Sequence, residues 1–126
     1  MLNYHDLDMF DLLLMVCRDY AIDPSASLET EDYFQKLLLT YTGDGDRISI
    51  LTWLRKHLEQ NFRAVGERPR WLQGAEWPVI HEQPALFVGQ IDIPAESVPS
   101  DMFHDTTAFY VFIPRNHPSI VVMQQM

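Results

Sequence analysis

The nine residues Arg70-Trp71-Leu72-Gln73-Gly74-Ala75-Glu76-Trp77-Pro78 constrain this chain more than any other stretch, because the hydrophobic pattern changes period across them. Before them, apolar residues recur at three- and four-residue spacing; after them come short runs rich in valine, isoleucine and phenylalanine. Two tryptophans around a Gln-Gly turn, closed by a proline, are costly to leave in water. They are expected to seat a helical half, residues 1–65, on a strand-rich half, residues 66–126, within a single domain.

In the first half, Asn3 is a candidate N-cap, with Leu7, Phe10, Leu13, Leu14, Cys17 and Tyr20 as the main apolar stripe of a helix that stops before Asp23-Pro24. Met9, Leu12 and Val16 lie off that stripe, so this helix is apolar over more than half its circumference and is expected to touch neighbours on two sides. Ser25 to Thr30 reads as a polar linker. A second helix follows from Glu31, with Phe34, Leu37, Leu38 and Tyr41 on one face, and Gly43 stops it. Asp46 caps a third helix whose stripe is Ile50 or Leu51, Leu54, Leu58 and Phe62. Such short connections predict antiparallel neighbours.

In the second half, Leu86 to Ile93, Thr107 to Ile113 and Ser119 to Met123 read as strands bounded by prolines. Pro114 to Pro118 is a hairpin loop, so the last two strands should pair antiparallel. Strict alternation sets Phe87, Gly89, Ile91 and Ile93 on one face of the first strand, and Leu86, Val88, Gln90 and Asp92 on the other. The middle strand is apolar on both faces. Helices can cover only one face of so small a sheet, so either the Trp71 to Pro84 segment or a second chain covers the other. The fold class is therefore α+β: an antiparallel three-helix N-terminal unit packed on a small antiparallel β-sheet.

Trp71-Leu72-Gln73-Gly74-Ala75-Glu76-Trp77-Pro78, then Leu86-Phe87-Val88-Gly89-Gln90-Ile91-Asp92-Ile93, then Phe109-Tyr110-Val111-Phe112-Ile113 resemble the successive motifs of the YwqG-like family, a bacterial domain family. The resemblance spans residues 67–123. It implies a β-rich fold, bacterial and cytoplasmic, and no established catalytic residues.

Charge and composition narrow the function classes. The net charge of −9, with no cluster of Lys or Arg, excludes nucleic acid and anionic membrane as direct ligands. A basic protein partner fits an acidic surface, although the same charge also serves solubility. The apolar run Leu12 to Cys17 is too short to span a bilayer, and no basic residue precedes Arg18, so a soluble cytoplasmic protein is expected. Cys17, the one cysteine, sits on a helical stripe and reads as a core residue.

Chemistry has few footholds. Gly43-Asp44-Gly45-Asp46 lacks the alternating ligands of a calcium loop, because Ile48, Ile50 and Leu51 occupy that space. The histidines at 5, 57, 81, 104 and 117 are not spaced as helical metal ligands, and neither a Gly-x-Ser-x-Gly elbow nor a phosphate loop occurs. No catalytic residue, metal or cofactor is expected. The candidate binding set is Trp71, Glu76, Trp77, Gln90 and Asp92. Gln90 and Asp92 share a strand face and need donors, with Arg68, Arg70 and the two indoles available. They either line a small polar pocket or brace the tryptophan loop to the strand. Three readings follow: a non-catalytic protein-interaction domain of immunity or antagonist type against a basic bacterial toxin, a small-molecule binder or enzyme using a pocket near Trp71, Trp77, Gln90 and Asp92, and a homo-oligomeric structural module, such as a homodimer through the sheet face.

Overall fold

The computed structural model describes residues 4–95 and 106–126. The chain is α+β: helices α1 (Tyr4–Asp19), α2 (Leu28–Leu39) and α3 (Arg47–Asn61) precede five strands. A short hairpin, β1 (Val79–Ile80) with β2 (Gln83–Pro84), stands apart from a three-stranded antiparallel sheet ordered β3 (Leu86–Ile93), β4 (Thr107–Ile113), β5 (Ile120–Gln125). No helix among the described residues is long and apolar enough to cross a membrane.

Helix α1 buries Met9, Leu12, Leu13, Val16 and Cys17, whereas Phe10 and Leu14 are exposed. The buried stripe is therefore rotated from the expected one. A helix apolar over more than half its circumference offers two phases, and only packing selects between them. Asn3, the expected N-cap, lies outside the described residues. The helix ends in a Schellman motif: the Ile22 N–H reaches the Cys17 carbonyl at 2.9 Å, the Ala21 N–H reaches Arg18, and Ala21 has φ 62°.

Helix α2 begins earlier than the apolar spacing predicts, inside the expected linker. Ser27 caps it, its hydroxyl accepting from the Thr30 N–H at 3.1 Å, and Thr30 and Phe34 are its buried residues. The helix ends at Leu39, so Tyr41 lies beyond it and Gly43 is not its stop. Helix α3 follows the expected pattern, with Asp46 as N-cap and Ile50, Leu54, Leu58 and the C-cap Phe62 buried.

The sheet departs from strict alternation at one point. Phe87 pairs with Phe112 and Gly89 with Val111, so Val88 is an extra residue, a β-bulge. From there the phase slips by one. Cross-strand partners share a face, so Phe87, Gln90 and Asp92 lie with Ala108, Tyr110 and Phe112, and Leu86, Gly89, Ile91 and Ile93 lie with Thr107, Phe109, Val111 and Ile113. The first set forms the inner face, where Phe87, Ala108, Tyr110 and Phe112 are buried. Phe62 at the end of α3 meets the ring of Trp77 edge-on at 5.4 Å, and Trp77 in turn touches Phe87 and Phe112. Both tryptophans thus lie against the inner face, and the Trp71 to Pro84 segment does not cover the outer one.

Candidate functional site

Residues Arg70 to Glu76 form a strap laid across the inner face, and each strand of the sheet holds its backbone with one side chain. On β3, Gln90 Oε1 accepts from the Arg70 N–H at 2.7 Å while Gln90 Nε2 donates to the Arg70 carbonyl at 3.1 Å. On β4, the Tyr110 hydroxyl accepts from the Leu72 N–H and donates to the Arg70 carbonyl, both at 3.0 Å. On β5, Gln124 Oε1 accepts from the Gln73 N–H at 2.9 Å, and its Nε2 donates to the Gly74 carbonyl and to Glu76 Oε2, each at 2.8 Å. A strap without strand partners must find donors and acceptors somewhere, and these three residues supply them.

The charges at this seam are also paired. Asp92 Oδ2 accepts from the Arg70 guanidinium at 3.1 Å, and Asp92 Oδ1 accepts from Gln90 Nε2 at 2.7 Å. Arg70 bonds Glu67 as well. Arg68 lies deeper: its guanidinium donates to the Tyr20 and Phe62 carbonyls and stacks on the rings of Tyr20 and Trp77. Burial lowers its pKa from the usual arginine value. Burial likewise raises the pKa of Tyr110, opposed by its hydrogen bond from Leu72. A neutral phenol is the form that can both donate and accept here.

The candidate residues are placed as follows. Gln90 and Asp92 come together on Arg70, and Glu76 meets Gln124 across the strap. The indoles serve elsewhere: Trp71 Nε1 donates to the Ala21 carbonyl and Trp77 Nε1 to the Ala85 carbonyl, each at 2.8 Å. The five do not line one cavity. Trp71 borders a groove of about 400 Å³ with Leu14, Arg18, Pro24 and Ala75, and Gln90 borders a separate notch of about 210 Å³ with Gly66, Glu67, Arg70 and Val88. Tyr110, Gln73 and Gln124 belong to the seam without having been singled out by sequence. The signal for Gln124 was its place in alternation with Ile120 and Val122, which marks an inner-face glutamine needing partners.

The outer face is of another character. Ile91, Ile113, Val121 and Met123, spread over three strands, are 58%, 50%, 57% and 53% exposed. Phe109 and Val111 lie between them, half-buried. Gly89, opposite Val111, leaves a gap here: a Cβ built on it would meet nothing within 4 Å. Compared with protein-family models, curated proteins and solved structures, the chain finds no match.

Proposed function

We propose that this chain is a non-catalytic protein-interaction domain of the YwqG-like kind, and that it works by laying the outer face of its sheet on a basic protein. In this reading an antiparallel three-helix unit and the tryptophan strap serve the inner face, and the opposite face is the contact surface. The observation that carries it is the apolar row Ile91, Val121 and Met123, each more than half exposed on a chain of net charge −9. An apolar centre is the usual anatomy of an interface, and the net negative charge of the chain speeds encounter with a cationic partner. The polar groups of the strap support the same reading, because their hydrogen bonds are made to one another. A role as antagonist of a basic bacterial toxin is the form of contact that suits a small acidic domain.

The test is affinity purification of the tagged chain from its native source, alongside Met123→Asp and Gly89→Leu. A cationic protein should co-purify in stoichiometric amount with the unaltered chain and be lost with both variants, while their melting curves stay cooperative. Its association rate should fall with added salt. A partner bound equally by all three proteins, or no stoichiometric cationic partner at all, overturns the reading.

A further inference from the structure

The two edges of the sheet are treated differently. On the β3 side, the Phe87 N–H donates to the Arg63 carbonyl and the Phe87 carbonyl accepts from the Val65 N–H, so a second strap of backbone covers that edge at Phe87. Further along, β3 carries the charged Asp92, paired with Arg70. Charged side chains and covering segments are how sheets prevent further pairing. The β5 edge differs: Ser119 to Met126 contains no charged residue and no proline, and among the described residues no backbone segment pairs with it.

Register fixes which groups of β5 face outward. The Met126 N–H donates to the Thr106 carbonyl, so this opposed pair and every second pair after it are the hydrogen-bonded ones: Gln124 with Ala108, Val122 with Tyr110, Ile120 with Phe112. Val121, Met123 and Gln125 therefore turn their N–H and carbonyl groups away from β4. The Gln125 carbonyl is taken by Gln73 Nε2 at 2.6 Å. Among the described residues, nothing bonds the outward groups of Val121 and Met123.

From this asymmetry we infer that β5 pairs edge to edge, antiparallel, with β5 of a second copy of this chain, making one continuous six-stranded sheet. The sequence of β5 fits a two-fold centred on Val122. That register sets Val121 against the partner subunit's Met123 and the reverse, and each pair exchanges both N–H···O bonds without using the occupied Gln125 carbonyl. Two chains of net charge −9 repel over most of their surfaces, yet along this strand no charge meets another. A foreign strand would find neither a charge nor a pocket here to select it, whereas a second copy brings the same uncharged strand, and the occupied Gln125 carbonyl rules out a two-fold centred on Met123. The two-fold consumes both open edges at once, so assembly closes at the dimer. This inference stands apart from whatever docks on the outer face.

Sedimentation velocity over a wide concentration range, with residue-resolved amide exchange, tests it on the full chain. The mass should rise from 14.7 kDa toward twice that value, and the Val121 and Met123 amides should gain protection as it rises. Val121→Pro removes an outward donor that the monomer does not use, so the dimer should be lost while far-UV circular dichroism is retained. Val121→Lys, a charged edge residue, should do the same should the proline variant fail to fold. Ile91→Lys alters the outer face away from this edge and should leave dimerisation unchanged. A chain that stays at 14.7 kDa throughout overturns the inference, and so does a dimer that survives both Val121 variants or dissolves with Ile91→Lys.

Discussion

The carboxamide of Gln90 bonds both backbone groups of Arg70, accepting from its N–H and donating to its carbonyl, as a neighbouring strand would. Gln124 does the same at the far end of the strap, where it is buried and bonds Gln73, Gly74 and Glu76. The two glutamines act as side-chain substitutes for a missing strand. They let an irregular segment lie on the inner face without orphaned peptide groups.

Truncating either glutamine should cost stability in proportion to what it leaves unbonded. Gln90→Ala, at a half-exposed seam where water can reach Arg70, should cost about 1 kcal/mol, and Gln124→Leu, at a buried one, about 2–3 kcal/mol, measured by urea unfolding. Gln124→Glu adds a pH test. Its charged form would face Glu76 and the Gly74 carbonyl, so the folded state holds the proton more tightly than the unfolded state, whose value is about 4.3. Stability of that variant should therefore be highest in acid and fall as pH rises through the raised value. Equal stability of Gln90→Ala, Gln124→Leu and the unaltered protein would show that the strap is held by its apolar contacts alone.

Ala21 offers a gain rather than a loss. It occupies the left-handed position that closes α1, with φ 62°, and its carbonyl receives the Trp71 indole N–H. Left-handed backbone costs an L-residue roughly 1–2 kcal/mol and glycine almost nothing, although glycine returns part of that through its freer unfolded chain. Ala21→Gly should raise the urea midpoint by an amount equivalent to about 0.5–1 kcal/mol. A lower midpoint would mean that the methyl group matters to the neighbouring packing.

How far the sequence foretells these features depends on how local each one is. Asp46 and the spacing Ile50, Leu54, Leu58 and Phe62 mark α3 because the cap and the stripe are both short-range signals. The hairpin β1–β2 goes unseen because its two-residue turn is His81-Glu82, both at positive φ, in place of the Asn-Gly that such a turn favours. The polar pair Gln90 and Asp92 stands out in sequence by its alternation, but its partner Arg70 is one of several donors within reach. Gln124 and Tyr110 bond the strap across 38 to 51 residues of chain, where spacing carries no information.

Cys17 should make the fold sensitive to alkali. Burial first, and the nearby Asp23 charge second, push its thiol up to about 12. The unfolded thiol ionises near the ordinary value of about 8.5, so above that pH the unfolded state has lost a proton that the folded state keeps. Stability should be full below about pH 8.5 and decline toward pH 12. Tyr33 and Tyr110, whose values burial also raises, add to the decline from about pH 10. Cys17→Ala should be less stable at neutral pH because it leaves a cavity, yet show a shallower loss between pH 8.5 and 10, read from urea midpoints at each pH. An identical slope in the two proteins would remove Cys17 as its source.

The bulge at Val88 gives an unusual expectation for a deletion. Removing one residue from a regular strand turns every side chain beyond it to the opposite face, which here would bury one row and expose the other. Val88, however, is the residue without a cross-strand partner. Its deletion joins Phe87, opposite Phe112, directly to Gly89, opposite Val111, so that simple alternation then places Phe87 inward and Gly89 outward as in the unaltered protein. The cost should be limited to re-seating the Arg63 to Val65 strap, about 1–2 kcal/mol for its displaced backbone bonds. Deleting Ile91 has no such escape. It would leave either Gln90 or Asp92 out of phase with Arg70 and should cost more than about 3 kcal/mol, or abolish folding. Urea unfolding of the two deletions, followed by tryptophan fluorescence because Trp77 packs against Phe87, separates the cases. Equal damage from both would mean that the bulge is not what sets the two faces of β3.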